Sequence, residues 1–246
     1  MIGSKYSPNE ILQILNDFYN CQSVFDPEVE SGEILNFETP ISEWRRICDL
    51  VEPKKLADYY YDLFQLTTQR ADLQAVLLQN KNELRILCNY LSEHAIKQSI
   101  SPILIMGQRC MTASIFKTLT SNLETRGMQT KSIRPSSEFA PIFQKHGAML
   151  LEEVNKLVPG SLSKFEYRDN WIVKTGIGLN LFSFLTFIIV PMIWHFHWIL
   201  LVPLCIGITL TFIGNKFRPA KESIGGYVTV RDLILGMDVQ AKKLSE

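Results

Sequence analysis

The sequence predicts a mixed α+β fold: a mainly helical cytosolic domain with a small parallel β-α-β-α element, plus a two-helix transmembrane hairpin. Three observations predict it. Apolar residues recur at helical spacing through the first hundred positions. Between 99 and 157 a short apolar run, a helical pattern, a second short strand candidate and a second helical pattern follow in turn. Residues 176–215 contain no Asp, Glu, Lys or Arg.

In chain order, residues 1–98 form the helical region. Ser7 or Asn9 caps a first helix near Pro8, whose apolar side is Ile11, Leu12, Ile14, Leu15, Phe18 and Tyr19. The acidic stretch from 22 to 40, with Pro27 and Gly32, is a loop with a short strand at Leu35 and Phe37. Ser42 is expected to cap a helix through Ile47, Leu50 and Val51, and Pro53 ends it and opens another. Tyr59, Tyr60 and Tyr61 are consecutive and cannot share one helical face, so two pack and one is exposed. Trp44 is expected in the core between solvated charges. A helical region from 72 to 94 is broken near Asn80.

Residues 99–170 carry the α/β element. The run Pro102–Met106 reads as a buried strand ended by Gly107, and a helix follows from Cys110 to Thr125 with Gly127 at its end. Thr130–Arg134 reads as a second strand, parallel to the first. Ser136 then caps a helix over 137–157. A further short strand is expected at Phe165–Tyr167.

Residues 171–216 are the expected hairpin, with arms at about 176–194 and 198–215, because a spanning helix needs roughly 20 apolar residues. Lys174 precedes the first arm, Lys216 and Arg218 follow the second, and the turn has no cation. The positive-inside rule then makes both termini cytoplasmic and the protein integral to the membrane. Trp171, Trp194, His195, His197 and Trp198 are assigned to the membrane interface. Residues 217–246 are a cytosolic tail, with a strand at 227–230 and a helix at 231–244, that packs on the main domain.

Composition limits the function. Lys plus Arg number 25, as do Asp plus Glu, so the chain lacks the basic excess of a nucleic-acid binder. The balance is uneven: residues 1–70 hold roughly twice as many acids as bases, and residues 101–145 are basic. The five cysteines are scattered without metal-ligand spacing, so a metal site and a disulfide framework are not expected.

Two loops carry the candidate chemistry. Gly107, Arg109 and Thr112 lie between a strand and a helix, as do Arg134, Ser136 and Ser137. At the carboxyl edge of a parallel pair they would converge on an anion. The first loop departs from the P-loop pattern, with Thr112 and Ala113 where glycine and lysine are required. His195 and His197 are too few to hold a metal alone. There is no GxSxG elbow, and no catalytic set or cofactor is assigned.

The expectation is a membrane-anchored scaffold, sensor or regulatory module without enzymatic activity. Its partners would be the lipid bilayer and a protein or a second copy of itself. One alternative is an enzyme or binding protein for a lipid headgroup or nucleotide anion at the two loops. Another is a membrane-disrupting effector using the hairpin.

Overall fold

Ser7 and Glu10 form a reciprocal capping box at the start of α1 (Pro8–Phe25). The Glu10 amide donates to Ser7 Oγ (3.2 Å) and the Ser7 amide to Glu10 Oε2 (2.8 Å), satisfying two otherwise orphaned donors. This is the start of a computed structural model that describes residues 5–25, 29, 34–50, 52–79, 81–162, 175–183, 204–210 and 224–245. The chain divides into two units. One comprises Met1–Glu166 with Ser223–Glu246, and the other Tyr167–Glu222.

Four further helices complete the amino-terminal half: α2 (Ile41–Ile47), α3 (Pro53–Leu63), α4 (Arg70–Leu78) and α5 (Leu84–His94). Pro53 starts α3, where its missing N–H costs no hydrogen bond. The starts of α2 and α5 are tied by backbone bonds from Ile41 N to Asn82 O (2.8 Å) and from Leu84 N to Thr39 O (2.9 Å). The first helical turn of α2 has Pro40, not Ser42, at its N-cap. The first core gathers Ile11, Ile14, Leu15, Trp44, Leu73 and Leu84. Each such fully buried aliphatic chain contributes roughly 1.5–3 kcal/mol. Of the three tyrosines, Tyr60 is buried, Tyr61 packs on the core and Tyr59 is exposed.

The second half is built on α6 (Met111–Thr125), α7 (Phe139–Leu157) and the carboxyl-terminal helix α10 (Val230–Ser245). Gly127 ends α6 at φ +89°, with Met128 N bonded to Leu123 O and Gly127 N to Glu124 O. α7 starts at Phe139 with Glu138 at its N-cap, so Ser136 is not the cap. Leu119, Leu123, Phe143, Leu150, Val154, Leu233 and Met237 form the second core. Phe18 of α1 touches both cores.

The parallel β-α-β-α element is not formed. Strands β1 (Leu104–Ile105) and β2 (Gln108–Arg109) pair antiparallel, Leu104 opposite Arg109 and Ile105 opposite Gln108. The physical reason lies at the turn. Met106 (φ +51°) and Gly107 (φ +79°) both adopt left-handed backbone, as a two-residue hairpin turn requires, and the chain reverses at once. Residues 130–134 are turn and loop, held by Ile133 N to Thr130 O (2.9 Å). The expected strands at Leu35–Phe37 and 227–230 are also absent, apart from isolated bridges such as Glu138 with Thr229.

The membrane expectation is corrected as well. Among the described residues no helix is long and apolar enough to cross a membrane. Within the charge-free stretch the described helical pieces are 175–183 (α8) and 204–210 (α9). A missing side chain at Gly207 brings it beside Gly176 O and Asn180, where a Cβ would meet the Gly176 oxygen at 3.0 Å. Freedom from charge shows that a segment can be buried; it does not by itself show a membrane-spanning helix. The transmembrane hairpin, and the integral-membrane placement drawn from it, are set aside. The expected strand at 165–167 lies outside the described residues.

Candidate binding cleft

α1, α2, α3 and α7 do not close fully on one another, and a cleft of about 950 Å³ remains between them. Its floor is aromatic and buried. Trp44 and Tyr60 approach at 6.0 Å between ring centroids, and Phe143 and Leu151 enter from α7. Phe18 and Tyr59 stand edge-to-face at 6.1 Å, and Tyr59 and Tyr60 at 5.3 Å, so the aromatic surface continues from floor to mouth.

The opening has a local cause on α7. The helix loses regular geometry at His146 (φ −134°, ψ 25°), next to Gly147 and Ala148. These two small residues line the cleft where larger ones would fill it. A Cβ on Gly147 would already lie 3.1 Å from the Phe143 ring.

Polar groups are confined to the rim. Asp49 follows α2 in left-handed backbone (φ +50°), with its N–H bonded to Arg46 O and that of Leu50 to Arg45 O. Glu52 is the N-cap residue of α3 and pairs with Lys55 (2.9 Å). Glu152 accepts from Tyr59 Oη (2.9 Å) and pairs with Arg126 (2.6 Å). Asp49 has no ion-pair partner among the described residues. The lining thus has three acids and one base, Lys55.

Burial raises the pKa of the thiols and phenols that line the cleft. The Cys48 thiol is pushed up to about 12 by burial. The Cys21 thiol is also pushed up to about 12, by burial and then by the nearby Asp17 charge. The Tyr59 phenol is raised by burial first and by the Glu152 charge second. At neutral pH the cleft therefore offers neither a thiolate nor a phenolate nucleophile. Its chemistry is that of an apolar, aromatic receptor with an acidic mouth.

The two expected anion loops do not converge. Gly107 forms the turn of the β1–β2 hairpin, Arg109 is exposed on β2, and Thr112 lies in the first turn of α6, 3.4 Å from Cys110 Sγ. Arg134, Ser136 and Ser137 lie in the turn before α7. There Ser137 Oγ accepts from Arg134 N (2.9 Å), and the backbone bonds to the start of α10 through Val230 N to Ser137 O. Among the described residues no hydrogen bond or ion pair joins one loop to the other. Trp171, Lys174, Trp194, His195, His197, Trp198, Lys216 and Arg218 lie outside the described residues. Among the described residues no group of three or more His, Cys, Asp or Glu is placed to hold a metal ion.

Sequence reasoning did not assemble the cleft, because Phe18, Tyr59 and Glu152 come from three distant segments. One local signal was present: Gly147-Ala148 interrupts an otherwise bulky helical pattern. Comparison with known protein families, curated proteins and solved structures finds no match for this chain.

Proposed function

We propose that this chain is a non-enzymatic interaction module whose cleft between α1, α2, α3 and α7 receives an apolar side-chain cluster of a partner. The supporting observation is the aromatic lining from Trp44 to Tyr59 beneath an acidic rim. Such a surface rewards burial of apolar area and orients the occupant through a few polar groups at its edge. The neutral thiols and phenols favour binding over covalent chemistry.

The test uses the full chain with Trp44 as its sole tryptophan (Trp171, Trp194 and Trp198 each changed to Phe). A neutral solvatochromic dye, Nile red, is titrated in. Saturable quenching of Trp44 is expected, and Ala148→Phe, which fills the cleft, weakens the dye at least tenfold. Trp44 emission indifferent to the dye, or equal affinity in A148F, overturns the reading.

A further inference from the structure

The β1–β2 hairpin presents apolar side chains to solvent. Met106 at its tip is fully exposed, and Leu104 and Ile105 are 68% and 50% exposed. The tip is also strained. A two-residue turn of this kind favours Asn, Asp or Gly where both residues take positive φ, yet Met106 occupies the first position at φ +51°.

The hairpin is firmly mounted. Ser114, buried on α6, accepts from Ile103 N (2.8 Å) and donates to Cys110 O (2.7 Å). Thr118, also buried, accepts from Ser101 N (3.2 Å). Cys110 N closes the base on Ile103 O (2.9 Å). Two buried hydroxyls thus fix an apolar projection in place, which lowers the entropy lost when it docks. At its base Arg109, opposite Leu104, makes no ion pair among the described residues.

The geometry points to a second copy of this chain as the partner: the Leu104–Met106 finger of one copy seats in the aromatic cleft of the other, with Arg109 at the acidic mouth beside Asp49. This rests on the cleft reading above. Three complementarities select that occupant. The finger is apolar and convex, and the cleft is apolar and concave. The tip is a thioether, which packs adaptably and gains from contact with rings such as Tyr59, Phe18 and Trp44. Arg109 of the hairpin and Asp49 at the cleft mouth each lack an ion-pair partner among the described residues, leaving a cation and an anion to meet. Reciprocal seating of two fingers in two clefts gives a closed, two-fold pair.

The test measures self-association of the full chain by sedimentation, for the wild type and three variants. Met106→Asn suits the turn, so it should raise the melting temperature while weakening association at least tenfold. Ala148→Phe should weaken association similarly from the cleft side. Asp49→Lys should weaken it less, by an amount that shrinks as salt rises. Nile red binding to M106N, read by Trp44 quenching, separates the two ideas. Retained dye binding with association equal to wild type overturns the finger alone; loss of dye binding in the wild type overturns the cleft reading. Association lost in M106N but kept in A148F places the finger elsewhere and overturns this partner. A wild type that sediments as a monomer overturns it too.

Discussion

Tyr59 on α3 donates its hydroxyl hydrogen to Glu152 on α7 at 2.9 Å, across 93 positions of sequence. Glu152 also meets Arg126, just past α6, at 2.6 Å. One phenol therefore links the helical first half to the second core at the lip of the cleft. Arg126 further reaches Glu153 (3.1 Å), whose buried carboxylate also receives Lys156 (3.0 Å) and Asn122 (3.1 Å).

Tyr59→Phe removes that link but keeps the ring against Phe18. The expected loss is about 0.5–1.5 kcal/mol, the net worth of one such hydrogen bond. Urea denaturation checks it, and the slope against urea should not change because the buried surface is unaltered. Tyr59→Ala should cost more, since it also removes the edge-to-face contact.

Asp17 is buried on α1 and accepts from Leu162 N at 3.2 Å. Burial raises its pKa to about 7, against the opposing pull of the Leu162 and Gly160 N–H groups. The folded value lies above the unfolded one. Between about pH 4 and 7 the folded chain holds a proton that the unfolded chain has released, so stability falls as pH rises through that window and levels off above it. The difference in unfolding free energy between Asp17→Asn and wild type, measured from pH 4.5 to 8.5, should grow in favour of the variant up to pH 7 and then flatten. A constant difference would contradict the assignment.

Gly160 sits in the loop beside Asp17 at φ +79°. A Cβ there would lie 2.8 Å from Gln240 Nε2 and 2.9 Å from Gln13 Oε1. Gly160→Ala should destabilise by about 1–3 kcal/mol, from left-handed strain together with displacement of the two glutamines. Thermal melts of G160A against Gly127→Ala separate the causes. Gly127 shares the positive φ but has open space around it, so it should cost less.

Local signals in the sequence carried further than long-range ones. A cap at Ser7, one of two candidates beside Asn9, Pro53 at a helix start and the break near Asn80 were legible because each depends on a few neighbouring residues. Pro102–Met106 was misread for the same reason. An apolar run has the same composition whether it is buried in a sheet or held out on a hairpin, and only the mounting bonds from Ser114 and Thr118 distinguish the two. The charge-free stretch announced its apolarity, yet among the described residues no helix is long and apolar enough to cross a membrane. The cleft depends on the break in α7, which Gly147-Ala148 marks locally, and on pairings such as Tyr59 with Glu152, which no local pattern encodes.

The loop after α7 is held at several points. Tyr227 donates to Ser161 O (2.9 Å), and Gln240 on α10 donates to Pro159 O (3.2 Å). The first unit runs to Glu166 and resumes at Ser223, so the second unit is an insertion between two segments of the first. Synthesis runs from the amino terminus, and the apolar faces of α6 and α7 are complete long before Leu233, Ile234 and Met237 exist to cover them. A ribosome-bound or truncated chain lacking α10 carries that uncovered surface, and the closing contact joins residues far apart in sequence, which slows the final step. The last helix thus acts as a latch on assembly, and chains that lose it are the ones exposed to aggregation and proteolysis.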